Sequence, residues 1–103
     1  MSDEPIYMLN ALWFHPEGGR ARYQEYLRAA GPIVARYGGR KLPSYVPEDA
    51  IIGEFDADLV FLVEWPSRDA FDTFIHDPEF EKVRELREAA ITKSLLVRCR
   101  GGH

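Results

Sequence analysis

Two long apolar runs dominate the hydrophobic pattern of this chain. The segments from Ile6 to Phe14 (IYMLNALWF) and from Leu59 to Trp65 (LVFLVEW) are almost entirely apolar or aromatic. Turn-forming or charged residues bound each run. Such lengths and compositions are typical of strands covered on both faces. The pattern therefore predicts that these two segments are the central strands of a sheet.

Between the two runs the period changes to that of a helix. Apolar residues recur at steps of three and four from Tyr23 to Tyr37, and charged residues occupy the other side. This spacing predicts an amphipathic helix that begins near Arg20 and contains Pro32. Gly38-Gly39 is predicted to end it, because glycine adopts the left-handed C-cap conformation without strain.

The second half of the chain repeats the order of strand, helix and strand. Ser67 is predicted to be the N-cap of a short helix. Asp77-Pro78 is predicted to restart the helix as its N-cap and first residue, with an apolar side that continues to about Ala90. Alternation of apolar and polar residues then predicts a last strand from Ile91 to Cys99.

The segment between the first helix and the second run is predicted to be an edge strand. Pro43 and Pro47 deny it a continuous hydrogen-bonded ladder, so the strand is expected in two short pieces, near 40–45 and 50–54.

The order β-α-β-β-α-β predicts one ferredoxin-like α+β domain over residues 1–103. Its four-stranded antiparallel sheet should have the first and third strands at the centre and both helices on one face. Both faces of the first strand are apolar, so the uncovered face would leave a large apolar surface on a monomer. We therefore expect a homodimer that pairs through the sheet face.

Composition narrows the classes of partner and location. Seventeen acidic against thirteen basic residues give a net charge of −4, which argues against nucleic acid as a partner. The amino terminus lacks the pattern of a signal peptide, and no apolar run is long enough to span a membrane. With a sole cysteine, Cys99, a cytoplasmic protein is expected. The 13% aromatic content exceeds the need of one small core and predicts an aromatic pocket or interface.

Four motifs resemble a known family. They are, in order, YQEY from Tyr23, ARYGGR from Ala35, VEWPSRDAF from Val63 and DPEF from Asp77. Over about residues 6–99 the chain resembles the domain-of-unknown-function 1330 family. That family belongs to the dimeric α/β-barrel superfamily, which also holds antibiotic-biosynthesis monooxygenases, heme-degrading oxygenases and muconolactone isomerases. The resemblance implies the fold and the dimer, and no settled activity.

Three polar residues are candidates for chemistry. Asn10 is a lone amide in a central strand, where burial without partners costs about 1–3 kcal/mol. Glu64 is a carboxylate in the other central strand, either a general base or one half of an ion pair with Arg40 or Arg98. His76 lies between the two helical pieces, as a catalytic group or as a surface or capping residue.

The resemblance implies a ligand contact for Asn10, because an asparagine of similar position faces the ligand in the heme-degrading relatives. Their helix histidine corresponds to a position near Arg84 and their helix tryptophan to one near Phe74. Heme degradation is therefore not expected, and neither is any other cofactor. No histidine, cysteine or acidic residue has metal-ligand spacing, so no metal is expected either.

An apolar ligand pocket between sheet and helices is predicted, with Asn10, Trp13, Tyr26, Trp65 and Phe74 as candidate ligand-binding residues; plain packing is the alternative for each. Two functions remain open. One is a cofactor-independent oxygenase or isomerase of a small aromatic molecule, and the other is a non-catalytic ligand-binding or accessory homodimer. A third, an RNA-recognition module, has the same topology but disagrees with the net acidity.

Overall fold

The computed structural model of the chain describes residues 4–102. Its elements are β1 (Ile6–Phe14), α1 (Gly19–Arg36), β2 (Arg40–Lys41), β3 (Leu59–Trp65), α2 (Arg68–Phe74), α3 (Pro78–Ala90) and β4 (Ile91–Arg100). The sheet order is β2-β3-β1-β4, and all neighbouring strands are antiparallel. This is the ferredoxin-like α+β fold that the sequence predicts, with β1 and β3 at the centre.

The helix boundaries follow from local hydrogen bonding. Ser67 Oγ accepts a hydrogen bond from the backbone nitrogen of Ala70 at 3.1 Å and begins α2. Asp77 caps α3 through two backbone nitrogens of its first turn. Gly38 adopts a φ of 82° just after α1, which confirms the predicted glycine C-cap. Helix α1 continues through Pro32.

The prediction of a strand at 50–54 is wrong. Residues 40–45 already pair with the free edge of β3, through β2 and a bridge between Tyr45 and Val60. The edge of β3 is therefore occupied, and Ile51 and Ile52 are 85% and 93% exposed. The end of this segment is held instead by Asp58, whose carboxylate accepts from the backbone nitrogen of Phe14 at 2.8 Å.

The pleat of the strands gives the sheet two different faces. We call the face under the helices the covered face, and the core lies against it, around Leu12 of β1 and Phe61 of β3. We call the opposite one the bare face. Its side chains come from the alternate positions of the same strands and are apolar and partly exposed: Tyr7, Leu9, Val60, Leu62, Leu95 and Val97.

The helix layer is held together at both of its ends. At one end Gly19 begins α1 so close to Ala90 that an added Cβ would lie 2.5 Å from the Ala90 carbonyl oxygen. At the other end the Tyr37 hydroxyl donates to the Asp77 carboxylate, and Arg36 lies 3.6 Å from the same carboxylate. These contacts fix α1 relative to α3 and thereby fix the space between the helices and the sheet.

Candidate ligand-binding site

A cavity of about 480 Å³ lies between the covered face of the sheet and the three helices. The cavity is partly open to solvent, because its lining residues Lys41, Arg84 and Leu96 are exposed. Its volume falls within the roughly 300–1,000 Å³ that is typical of small-molecule sites. The cavity is therefore the candidate functional site.

Aromatic side chains form most of the walls. The rings pack against one another, with centroids 4.7 Å apart for Trp65 and Phe74 and 4.3 Å apart for Phe74 and Phe80. Contacts of this kind fix ring orientations and favour flat, apolar partners. The aromatic lining residues are Tyr23, Tyr26, Phe61, Trp65, Phe71, Phe74 and Phe80.

Asn10 supplies an amide at the floor of the cavity. It lies on β1 between Phe61 of β3 and Leu96 of β4, and only 6% of its surface is exposed. Its Nδ2 donates to the carbonyl oxygen of Met8 at 3.2 Å, which orients the amide. Among the described residues no donor forms a hydrogen bond with its Oδ1.

Two tyrosines of α1 line the cavity as neutral hydroxyls. Burial raises the pKa of Tyr23, and the neighbouring Tyr26 raises it further, while the Arg87 guanidinium acts in the opposite direction. Burial likewise raises the pKa of Tyr26. Both phenols therefore remain protonated at neutral pH and add no negative charge to the site.

Lys41 is a lining residue that the sequence interpretation missed. It pairs with Val63, which places its side chain on the covered face, and its Nζ lies 4.7 Å from the centre of the Phe61 ring. The ammonium donates to Ser44 Oγ at 2.7 Å. Partial desolvation lowers the pKa of Lys41. The sequence could not assign Lys41 to a face of the sheet, because a strand of two residues has no periodicity. Only its register with β3 shows which face it occupies.

Two arginines of α3 complete the polar lining. Arg87 lies beside the Tyr23 hydroxyl. Arg84 also lines the cavity, and its Nε is 4.0 Å from the Glu88 carboxylate. The lining therefore holds two guanidinium groups.

Trp65 presents carbon surface to the cavity. Its Nε1 is sealed from solvent and has no hydrogen-bond partner within residues 4–102. Gly39 makes room for this ring, because an added Cβ would lie 2.8 Å from Trp65 Cζ3. The tryptophan is thus held in place by close packing.

The structure brings four of the five predicted ligand-binding residues together, namely Asn10, Tyr26, Trp65 and Phe74. Trp13 lies on the bare face, which corrects its expected place in the cleft. Its Nε1 donates to Asp56 at 2.9 Å, and Lys93 stacks on its ring. The alternation of side chains along a strand is the physical reason, since Asn10 and Trp13 differ by an odd number of positions.

Glu64 and His76 lie outside the cavity. Glu64 is on the bare face and forms an ion pair with Arg40, which is the arrangement expected of a structural carboxylate. His76 is exposed between α2 and α3, and its Nδ1 lies 2.9 Å from the carbonyl oxygen of Asp72. Of the three catalytic candidates, Asn10 alone lines the cavity.

Residues 4–102 contain neither a cluster of metal-ligating side chains nor a membrane-spanning helix. No group of three histidine, cysteine or acidic side chains is arranged to hold a metal ion. No helix in this range has the length and apolar character needed to cross a bilayer.

Comparison with known proteins identifies a family. The family model described as a domain of unknown function (DUF1330) matches residues 18–98. Comparison with curated proteins returned no match.

Solved structures share the fold. A protein of unknown function from Rhodopseudomonas palustris is 32% identical, with a TM-score of 0.88 over 98% of this chain and 85% of that one. A dimeric ferredoxin-like protein of unknown function from Jannaschia is 17% identical, with a TM-score of 0.74 over 94% of this chain and 99% of that one. SnoaB, a cofactor-independent oxygenase from Streptomyces nogalater, is 19% identical, with a TM-score of 0.65 over 96% of each chain.

Proposed function

Because this chain belongs to the DUF1330 family, for which no activity is defined, we propose from the geometry of its own cavity that it binds a small, largely aromatic molecule between the sheet and the helices. One observation carries the proposal: the cavity of about 480 Å³ combines aromatic walls with one buried amide, Asn10, at its floor. Apolar surface with a few placed polar groups is the usual composition of a small-molecule site.

A thermal-shift screen of aromatic metabolites tests the proposal. A ligand that binds only the folded state raises Tm in proportion to its occupancy. In Leu96→Trp the added ring should occupy space beside Asn10, because Leu96 is directly across from it on β4 and lines the cavity. We expect the ligand-induced rise in Tm to disappear in this variant.

Leu95→Trp is the matched control. Leu95 neighbours Leu96 and is similarly exposed, at 45% against 49%, but its side chain lies on the bare face. It should keep the ligand-induced rise. The same loss in both variants, or no stabilising compound at all, would refute a ligand site in the cavity.

Asn10→Ala measures the contribution of the amide. This variant loses a hydrogen bond to Met8, so its own Tm should fall and only the ligand-induced increment is compared. Gln24→Ala, which removes an exposed amide of α1 outside the cavity, is the control. We expect the increment to shrink in Asn10→Ala alone.

A catalytic use of the same cavity is the second candidate. Asn10 favours it, since a buried amide that contacts the ligand can polarise or orient it inside an apolar site. The fold shared with SnoaB supports a cofactor-independent oxygenase, and the superfamily resemblance also supports an isomerase. The remaining alternative is a binding or accessory module that leaves its ligand unchanged.

Product analysis separates these candidates. Compounds that stabilise the protein are incubated with it in air, and oxygen consumption and product mass are followed. An oxygenase gives oxygen uptake and an added oxygen mass, and an isomerase gives a new compound of unchanged mass. Turnover should fall in Asn10→Ala at saturating ligand. Recovery of unchanged ligand in every case would leave the binding module as the function.

We also propose that two copies pair through the bare face. The partly exposed apolar side chains of that face support this, and so does the dimeric state that the Jannaschia protein carries in its description. Sedimentation at micromolar concentration tests it, and a monomer of 11.8 kDa would contradict it. The free thiol of Cys99 supports the cytoplasm as the proposed location.

A further inference from the structure

The charges that line the cavity are of one sign. Lys41, Arg84 and Arg87 line it, and no aspartate or glutamate of residues 4–102 does so. The chain as a whole has the opposite balance, with seventeen acidic and thirteen basic residues. The cavity lining is therefore positively charged, although the protein as a whole carries a net negative charge.

Two of these cations have no carboxylate partner. Within the described range no carboxylate oxygen lies within 4.0 Å of Lys41 or Arg87, whereas Arg84 is at that distance from Glu88. An unpaired cation on an open surface is solvated by water and calls for no explanation. Lys41 is exposed and Arg87 is half-buried, but partial desolvation lowers the pKa of Lys41 beside the Phe61 ring, and an anion gains more from a charge that water solvates less well.

The two unpaired cations are connected through aromatic rings. Lys41 Nζ lies over Phe61, the Phe61 ring is 6.4 Å from that of Tyr23, and the Tyr23 hydroxyl is beside Arg87. Both tyrosines of the lining stay protonated, because burial raises the pKa of each. No group of the cavity thus neutralises its positive charge.

From this charge pattern we infer that the ligand is an anion, namely an aromatic or similarly apolar molecule that carries a carboxylate or another acidic oxygen. The aromatic walls take its ring, and the positive charge that Lys41 and Arg87 place on the lining attracts its acidic group. This inference rests on the proposed ligand site and adds the charge of the ligand to it. Guanidinium and ammonium groups are the usual protein partners of carboxylates, and such charge-assisted hydrogen bonds are about twice as strong as neutral ones.

Naphthoate and naphthamide test the inference. They share one ring system and differ in charge, so the ratio of their dissociation constants isolates the contribution of the anion. Isothermal titration calorimetry on the intact protein gives both constants. We expect naphthoate to bind at least about ten-fold more tightly, a difference of about 1.4 kcal/mol.

Lys41→Met and Arg87→Met identify the source of the preference. Each removes a charge and retains a long apolar side chain, so each should reduce the preference several-fold, and the double variant should abolish it. Arg28→Met and Lys82→Met remove exposed cations of α1 and α3 outside the lining and should leave the ratio unchanged. Lys41→Arg should retain the preference.

The outcomes separate this inference from the proposed function. If naphthamide binds as tightly as naphthoate or more tightly, the proposed aromatic site stands, but the inference that its ligand is an anion is overturned. A preference that persists in the double variant also overturns it, because another group would then bind the acid. If neither compound binds at millimolar concentration, both the proposed aromatic site and the inference of an anionic ligand are contradicted. The Tm of each unliganded variant verifies that it is folded.

Discussion

The two faces of the sheet come from the same strands and are similarly apolar, but only one of them is covered. On the covered face the helices enclose a cavity, and the polar groups that remain there are an amide, two phenols and three cations. On the bare face the main charged group of the central strands is Glu64, which Arg40 neutralises. Apolar composition alone therefore does not distinguish a ligand site from an association surface. The arrangement of the polar groups does.

Leucine truncation on each face should have the largest effect. Leu12 is fully buried on the covered face, so Leu12→Ala should lower the free energy of unfolding by about 3 kcal/mol. In the monomer, Leu95→Ala on the bare face removes a half-exposed side chain and should cost about 1 kcal/mol or less. Urea unfolding at several protein concentrations measures both. Equal costs would contradict the difference in burial between the faces.

A charge on the bare face should break association without unfolding the chain. Val97→Lys places an ammonium among apolar neighbours, so we expect the dissociation constant of the homodimer to rise at least about ten-fold. Leu86→Lys introduces the same charge at a partly exposed site of α3 and is the control. Analytical ultracentrifugation measures both, and an unchanged dimer in Val97→Lys would place the interface elsewhere.

The helix layer should respond to acid through Asp77. The hydrogen bond from Tyr37 lowers the pKa of this carboxyl, and the backbone nitrogens of Phe80 and Glu79 and the charge of Arg36 act in the same direction. A carboxyl whose pKa is lower in the folded state stabilises the protein at any pH above its ordinary pKa of 3.8. This stabilisation is lost as the pH falls through the pKa of the folded state.

Asp77→Asn should therefore reduce Tm at pH 7 and make Tm less sensitive to pH below 4. Asp69→Asn, in the first turn of α2, is the control. Thermal unfolding from pH 7 to 2 checks this prediction, and parallel profiles for Asp77→Asn and the wild-type protein would contradict it.

The smallest predicted effect is a gain in stability. Gly31 lies inside α1 on the wall of the cavity, and a Cβ added there meets no atom within 4 Å beyond those of its two chain neighbours. Gly31→Ala should raise the free energy of unfolding by about 0.5 kcal/mol or less, because alanine loses less backbone entropy in a helix but its Cβ is crowded by the ring of the following Pro32. Gly101→Ala, outside any helix, should leave the free energy of unfolding unchanged. A loss of stability in Gly31→Ala would contradict the open space beside this position.

Periodicity predicted the elements well where it was strong. The bounds of β1 and β3 agree with the apolar runs, and both N-caps lie at the predicted residues, Ser67 and Asp77. Residues 50–54 could not be predicted from local pattern, because whether they pair depends on whether the edge of β3 is already occupied.

The site was only partly predictable. Alternation alone separates Asn10 from Trp13 and Trp65 from Glu64, so the two faces could have been assigned from the sequence. The cavity could not, since a stripe of aromatic residues is compatible with either close packing or an enclosed space. Lys41 and Arg87 could not be predicted as lining residues either. Whether they lie in the same lining depends on strand register and on the distance between the helices and the sheet.

Each face of the sheet carries one tryptophan, and this gives the protein two natural fluorophores. Trp65 lies in the cavity wall and Trp13 is partly exposed beside Phe55 on the other side. In Trp13→Phe the emission comes from Trp65 and should report the arrival of a ligand. In Trp65→Phe it comes from Trp13 and should report the approach of a second copy. The two events can thus be followed by light, separately and without an added dye.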